Sequence, residues 1–354
     1  MTRAVFAIPG DLSLPTGGYR YDREVLARAA AHGLELGHLG LPGSFPFPDE
    51  SALDITRTAL ASLAPQTVLL ADGLAYGAFP EALCAAVTCP IAALVHHPLA
   101  LESGLSPAAA AALKASETIA LGHARAVIVP SPTTARILVD DYRVAAAKIT
   151  IAEPGTARAA RATGSGGTTT ELLAVGAISP RKGYGVLVAA LGQLKELDWH
   201  LTIAGATDRA PATVAELQAS IDQAGLAGRI ALAGAVDDGS LDKLYAAADL
   251  FVMPSLFEGY GMVLTEAMAR GLPIVTTTGG AAAETVPDAA ALKVPPADEA
   301  ALRDALATAL KDRGLRARLA EASWAAARAL PTWDDTARVI CEVLGNLAAR
   351  TMRP

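Results

Sequence analysis

Cysteine is scarce in this 354-residue chain: Cys84, Cys89 and Cys341 are its three. They form no Cys-x-x-Cys pair and no zinc spacing, which argues against a disulfide scaffold or a structural zinc site. They read as small buried hydrophobes in a reducing compartment, so a cytoplasmic location is expected. Long apolar runs are missing too, and no stretch reaches the length of a membrane span. The opening MTRAVFAIPG is too short an apolar run for a signal peptide and reads as a strand ending at Pro9-Gly10. No helical run joins a Lys/Arg-rich face to large apolar residues, so membrane contact is expected to be peripheral at most. An excess of positive charge is absent as well. The net charge is -7, which leaves no basic face for nucleic-acid phosphates.

Two nucleotide-binding fingerprints are also lacking. The stretch GDLSLPTGGYR after the first strand fits neither Gly-x-Gly-x-x-Gly nor the loop ending Gly-Lys-Ser/Thr. Nicotinamide chemistry is correspondingly weakened. No His, Asp and Glu residues stand at metal-ligand spacing, so no essential metal is expected.

What is present is a large soluble core. Hydrophobic residues make up 52% of the chain and charged residues 18%, and the length suits two domains better than one. Strand-like and helix-like runs alternate. AVFAIPG, TVLLADG, CPIAALVHH, AVIVPS and KITIAEPG read as strands of a first half. Between them lie helical runs such as GYRYDREVLARAAAHG, with Tyr21, Val25, Leu26 and Ala29 at helical spacing, and SPTTARILVDDY, which opens on Ser/Thr caps. The Gly/Thr-rich ARAARATGSGGTTT is the best linker candidate. A second series follows, with strands ELLAVGAIS, WHLTIAG, RIALAGAV, LFVMPS and LPIVTTTGG. Pro331 interrupts the closing helices, and WDDTARVICEVLGNLAARTM resumes them.

Such repetition predicts an α/β fold of two Rossmann-like domains, with parallel sheets facing a cleft. The expected division is residues 1–160, a linker at 161–170, a second domain at 171–330, and a final helix at 331–354 crossing back to the first domain. Ligands of such sheets bind beyond the carboxyl ends of the strands. Gly10, Gly17-Gly18, His96-His97, Gly205, Glu258 and Gly279-Gly280 all follow strands there. Gly17 and Gly18 either offer amides to a phosphate at a helix start or simply shape a turn. One of His96 and His97 reads as a substrate contact. Arg181 and Lys182 form either a diphosphate site or a solvated turn. Glu258 and Glu266 flank the bend Gly259-Tyr260-Gly261 before a helical run.

FEGYGMVLTEAMARGLPIVTTTGG resembles the Glu-x7-Glu signature of the retaining glycosyltransferases of family 4, which have the GT-B fold. The likeness extends through AVGAISPRKGYGVLVAAL, LTIAG, LYAAADLFVMPS and ALKVPPADEAAL. It runs more thinly through TGGYRYDREVLARAAAHG and AVIVPSPTTARIL. It implies a nucleoside-diphosphate sugar as donor, UDP-sugar ahead of GDP- or ADP-sugar, and a hydroxyl-bearing small molecule or glycan as acceptor. By the resemblance Glu258 contacts donor-sugar hydroxyls and Glu266 the ribose. Lys182, with Arg181, compensates the diphosphate. The segment Gly259, Tyr260, Gly261, Met262 and Val263, the glycines Gly279 and Gly280, Gly205, and Gly17 and Gly18 help seat the donor, and His96 stands near the sugar and acceptor. Carboxylates suit hydroxyl recognition because each can accept two donors at once. Where the family often has Gly-Arg, this chain has Gly176-Ala177, and EPGTARAA replaces the family's Asn-Gly-Val-Asp ending of the first domain. A hydrolase pair is the weaker reading of the two glutamates, since sequence separation does not set the geometry that hydrolysis needs. A nucleotide-sugar 2-epimerase and a non-catalytic nucleotide-sugar-binding protein are the rival readings.

Overall fold

Short, mostly apolar runs become strands buried on both faces. Val68–Asp72, Ile91–Leu94 and Ala126–Val129 are buried at every position. So are Leu250–Met253 and Ile274–Thr277. Only a sheet covered on both sides gives such runs, and a parallel sheet with crossover helices supplies that cover. The computed structural model describes residues 2–208 and 210–351. Met1, Arg209 and residues 352–354, which fall within segments anticipated from sequence, lie outside the described residues.

The chain divides into two compact units, residues 1–155 with 331–354, and residues 156–330. In the first unit six parallel strands lie in the order β2-β1-β3-β4-β5-β6. They are β1 (Thr2–Pro9), β2 (Leu34–Leu41), β3 (Val68–Asp72), β4 (Ile91–Leu94), β5 (Ala126–Val129) and β6 (Ile149–Ile151). The second sheet is also parallel, in the order β12-β11-β10-β7-β8-β9. Its strands are β7 (Thr170–Val175), β8 (Trp199–Ala204), β9 (Ile230–Gly234), β10 (Leu250–Met253), β11 (Ile274–Thr277) and β12 (Ala291–Val294). The connections reverse direction between β1 and β3 in one sheet, and between β7 and β10 in the other. Such reversals open a crevice at the carboxyl edge of the sheet, because neighbouring connections leave to opposite sides.

Several elements go beyond the sequence reading. Strand β2, LELGHLGL, is interrupted by glycines and exposes many positions at the sheet edge, so it lacks the apolar run that marks the inner strands. The helix Glu50–Ala61 and strand β12 were likewise unmarked. The segment 157–168 has no regular secondary structure yet is bound into the second unit. The Ala162 amide donates to the Arg270 carbonyl at 2.8 Å, and the Thr163 and Gly164 amides share the Ala246 carbonyl at 3.0 Å. Arg161 pairs with Glu321 and lies over the Trp324 ring.

The helix Trp333–Thr351 packs within the first unit. The Trp333 ring meets Tyr21 edge-on at 5.7 Å, and Thr336 Oγ1 donates to the Glu153 carbonyl at 2.6 Å. A side chain at Gly155 would collide with the Trp333 backbone, so glycine permits the approach. All three cysteines are free thiols in buried positions. Burial of apolar side chains at ~1.5–3 kcal/mol each is the main term holding either core. Trp199, fully buried, also donates its indole N–H to the Leu194 carbonyl at 2.8 Å, which removes the penalty of an unpaired polar atom.

Candidate functional site

The second unit gathers its polar residues at the β7/β10 reversal. The chain leaving β7 makes a short turn, Pro180–Lys182, that carries Arg181 and Lys182. The chain leaving β10 runs Pro254 to Glu258 beside it, and the Leu256 amide donates to the Arg181 carbonyl at 2.7 Å. The loop after β11 closes on the same spot. The Glu258 amide donates to the Gly279 carbonyl at 3.2 Å, and the Glu258 carbonyl accepts from the Ala281 amide at 2.8 Å. Gly280 adopts φ +62°, and a side chain there would strike the Glu258 carbonyl. Glycine is therefore required for this loop to fix the Glu258 backbone.

Glu258 is buried at 6% exposure, and two cations hold its side chain. Lys182 Nζ lies 2.6 Å from Oε1 and Arg181 Nη1 lies 3.2 Å from Oε2. Arg181 also donates to the Phe257 carbonyl at 2.7 Å. Burial pushes the Glu258 carboxyl up, but the charges of Lys182 and Arg181 outweigh it and bring it down to about 2. The group is thus an ionised acceptor in a dry setting. Tyr184 donates its hydroxyl to the Gly176 carbonyl at 3.0 Å, and burial raises its phenol far above the usual range.

Glu266 sits on the helix Met262–Ala269, which starts after Gly261 at φ +93°. Tyr245 donates its hydroxyl to Glu266 Oε2 at 2.9 Å. The Arg270 guanidinium lies 4.3 Å over the Tyr245 ring and pairs with Asp242. The two glutamates therefore sit in different settings, one between cations and one against a phenol. Gly205 ends β8 beside Gly176, where a side chain would collide with the Gly176 carbonyl. Backbone packing alone accounts for glycine there. Gly259, Tyr260 and Gly261 are buried, whereas Met262 and Val263 are half-buried at the helix start.

The first unit has its own cluster at the β1/β3 reversal. Thr16 caps the helix Gly17–Arg28 by accepting from the Tyr19 amide at 3.0 Å. This places Gly17 and Gly18 in the first turn. A side chain at Gly18 would come within 3.3 Å of the His96 ring. His96 Nε2 lies 3.1 Å from Asp22 Oδ1 and 3.5 Å from Asp72 Oδ2. His97 turns instead to Glu102, with Nε2 3.2 Å from Oε2. Burial acts to lower the His96 pKa, but Asp22 first and Asp72 second outweigh it and carry it up to about 10. Asp22 moves up to about 7, mainly by burial.

Asp22 and Asp72 were not singled out by the sequence reading. Asp22 falls among the buried positions of its helix, and Asp72 closes an all-buried strand, so a charged residue in an apolar frame was the available signal. The ligand-type atoms of Asp22, Asp72 and His96 all lie within 4.8 Å of one another. Spacing along the chain hides this group, because its members come from a helix, a strand end and a loop far apart in sequence.

Comparison with known proteins bears on both units. Residues 157–324 match the family model described as "Glycosyl transferases group 1". A D-inositol 3-phosphate glycosyltransferase of Xylanimonas cellulosilytica is 34% identical over 180 residues, 51% of this chain and 43% of that protein. A mannosylfructose-phosphate synthase of Agrobacterium fabrum is 33% identical over 190 residues, 52% of this chain and 41% of that protein. The chain thus spans less than half the length of these two curated relatives. Sucrose-phosphate synthase from Thermosynechococcus elongatus superposes with a TM-score of 0.84 at 21% identity, covering 99% of this chain and 100% of that one. HepE of Anabaena, solved in complex with UDP-glucose, superposes with a TM-score of 0.77 at 17% identity, covering 98% and 100%. The two Rossmann-like units with parallel sheets match the GT-B fold.

Proposed function

We propose that the chain is a retaining glycosyltransferase that moves a sugar from a nucleoside-diphosphate sugar to an acceptor hydroxyl without an essential metal. The observation that carries this reading is Glu258, a buried ionised carboxylate held by Lys182 and Arg181 at the β7/β10 reversal. Eight residues later, Glu266 presents a second carboxylate on the following helix. The family match over 157–324 and the relatives' names support it.

In this reading Glu258 accepts from hydroxyls of the donor sugar, and Glu266 accepts from the ribose. Lys182 and Arg181 neutralise the diphosphate, helped by amides from Gly259 to Val263 at the helix start. Gly205, packed against the Gly176 carbonyl, stands at the same edge of the sheet. Gly17 and Gly18 offer amides to a phosphate, and His96 offers its imidazole to a sugar or acceptor hydroxyl. The departing phosphate draws the acceptor proton as the acceptor attacks the same face of the sugar, which retains the anomeric configuration. The protein's contribution is orientation and charge stabilisation. UDP-sugar is the favoured donor, as HepE was solved with UDP-glucose.

The test is product analysis with UDP-, GDP- and ADP-sugars against a panel of hydroxyl acceptors, soluble glycans first and lipid headgroups included. A transfer product that keeps the donor's anomeric configuration is expected. An isomerised nucleotide sugar formed without acceptor would establish the epimerase instead. Saturable binding with no product under any condition would establish a binding protein.

A further inference from the structure

Asp22 is an aspartate in the wrong place for stability. It is fully buried, on the same helix face as Tyr21 and Val25, where an apolar side chain would pack. Its Oδ2 is buried and has no hydrogen-bond partner, and its Oδ1 faces His96 Nε2 at 3.1 Å. A buried carboxylate half-satisfied in this way is kept only if something else requires its charge. Asp72 faces the same nitrogen at 3.5 Å, but its Oδ1 also accepts from the Leu74 amide at 2.7 Å as a helix cap. Asp72 thus has a structural task of its own, and Asp22 has His96.

The His96 ring is fixed from several sides. Its Nε2 edge lies against Gly18, and the Tyr21 ring meets it edge-on at 5.2 Å. The Tyr21 hydroxyl is turned away, donating to the Ala152 carbonyl at 2.8 Å. The charged and titratable groups facing the imidazole are therefore Asp22 and Tyr21 from the helix and Asp72 from the end of β3. His97 and Glu102, on His96's own connection, pair with each other. An ionised carboxylate can only accept, so where Asp22 and Asp72 are ionised Nε2 carries the proton. The His96 side chain retains 21% exposure, and its Nδ1 makes no hydrogen bond among the described residues.

We propose that Asp22 is a positioning residue which, aided by Asp72, tethers His96 through Nε2 as an imidazolium and so presents Nδ1–H as a fixed donor to a substrate oxygen. The oxygen is a phosphate oxygen or a sugar hydroxyl, and this part of the inference rests on the transfer reading above. The raised pKa of His96 agrees with the geometry. A neutral imidazole with Nε2 protonated would offer a bare Nδ1, an acceptor, to the same oxygen. Asp22 therefore decides whether His96 gives or takes a hydrogen bond at its open edge.

The test begins with the histidine ring resonances of the full chain across pH, with His96 assigned by their loss in His96→Gln. His96 should keep its proton past pH ~8, well above the ordinary imidazole value of about 6.5. Asp22→Asn should lower that titration by at least about one pH unit, and Asp72→Asn should lower it less. The kcat/KM of Asp22→Asn should then fall about tenfold per pH unit above the new value while staying near the unchanged protein's below it. A purely structural role would lower the rate by a constant factor at every pH and leave the ring titration alone, and that outcome overturns the proposal. So does a His96 that titrates at the ordinary value in the unchanged protein, a measurement that stands even if Asp22→Asn fails to fold. Selective broadening of His96 by micromolar Mn²⁺ would make the cluster a cation site and likewise overturn it. The ring titrations need no transfer activity, so they decide the role of Asp22 even if the transferase reading fails.

Discussion

Lys182 Nζ stands 2.6 Å from Glu258 Oε1, a contact across 76 residues of sequence that joins the loops after β7 and β10. The pair keeps Glu258 ionised and aimed. Glu258→Ala should impair sugar transfer more than it weakens binding of the free nucleotide, since its proposed partners are sugar hydroxyls. Loss of a charged hydrogen-bonding group costs roughly 1.5–3 kcal/mol, or about 10- to 150-fold in kcat/KM. Steady-state kinetics beside calorimetric titration with the nucleotide would check this. Equal losses in both would show that Glu258 does not read the sugar.

In the proposed reading Lys182→Ala removes a single cation that serves both the diphosphate and Glu258. Affinity should drop for nucleoside diphosphates and intact donors, by about tenfold or more, while the nucleoside alone is much less affected. Binding isotherms for the three ligand classes give the comparison. An unchanged diphosphate affinity would assign Lys182 solely to Glu258.

Tyr245 donates to Glu266 Oε2 at 2.9 Å and so limits how that carboxylate can turn. Glu266→Ala should weaken nucleotide and intact donor to a similar degree, since both carry the ribose. Tyr245→Phe should act in the same direction but less, by about 0.5–1.5 kcal/mol. Donors with 2′-deoxyribose should lose affinity for the unchanged protein and show no further loss in Glu266→Ala.

Transfer should persist after exhaustive removal of divalent cations by chelator and gel filtration. In the proposed reading Lys182, Arg181 and backbone amides neutralise the diphosphate charge. Complete loss of product formation, restored specifically by added metal, would contradict this.

Glu117 gives a pH-dependent stability test away from these clusters. It is fully buried, its Oε2 accepts from the Leu99 amide at 2.9 Å, and its Oε1 has no partner. Burial outweighs that hydrogen bond and raises the carboxyl to about 8. The folded chain therefore holds a proton that the unfolded chain releases near pH 4.5, and stability falls as pH rises from about 4.5 to about 8. Glu117→Gln cannot ionise and should lack this loss. The difference in Tm between the two proteins should shift in favour of the variant as pH rises from 5 to 8.5. A difference constant across that range would mean that Glu117 ionises freely in the fold.

Much of this was legible in the amino-acid order. Mostly apolar short runs such as LLAD and LFVM read as inner strands of a covered sheet, and their alternation with helical runs predicts parallel pairing. The same logic places Gly18, His96, Lys182 and Glu258 at strand ends, because in a parallel sheet each residue following a strand falls on one edge. Strand β2 escaped because its glycines and exposed edge positions carry no hydrophobic period. The segment 157–168 has a linker's composition, yet backbone hydrogen bonds to Ala246 and Arg270 bind it down, and composition cannot register a partner about 80 to 110 residues away. What only the tertiary structure decided is which charges meet. Strand order sets Lys182 against Glu258 and Asp22 against His96, and strand order is fixed by sheet packing over the whole unit. Sequence thus determined the types of group at the sheet edges, while folding determined their partners and hence their ionisation.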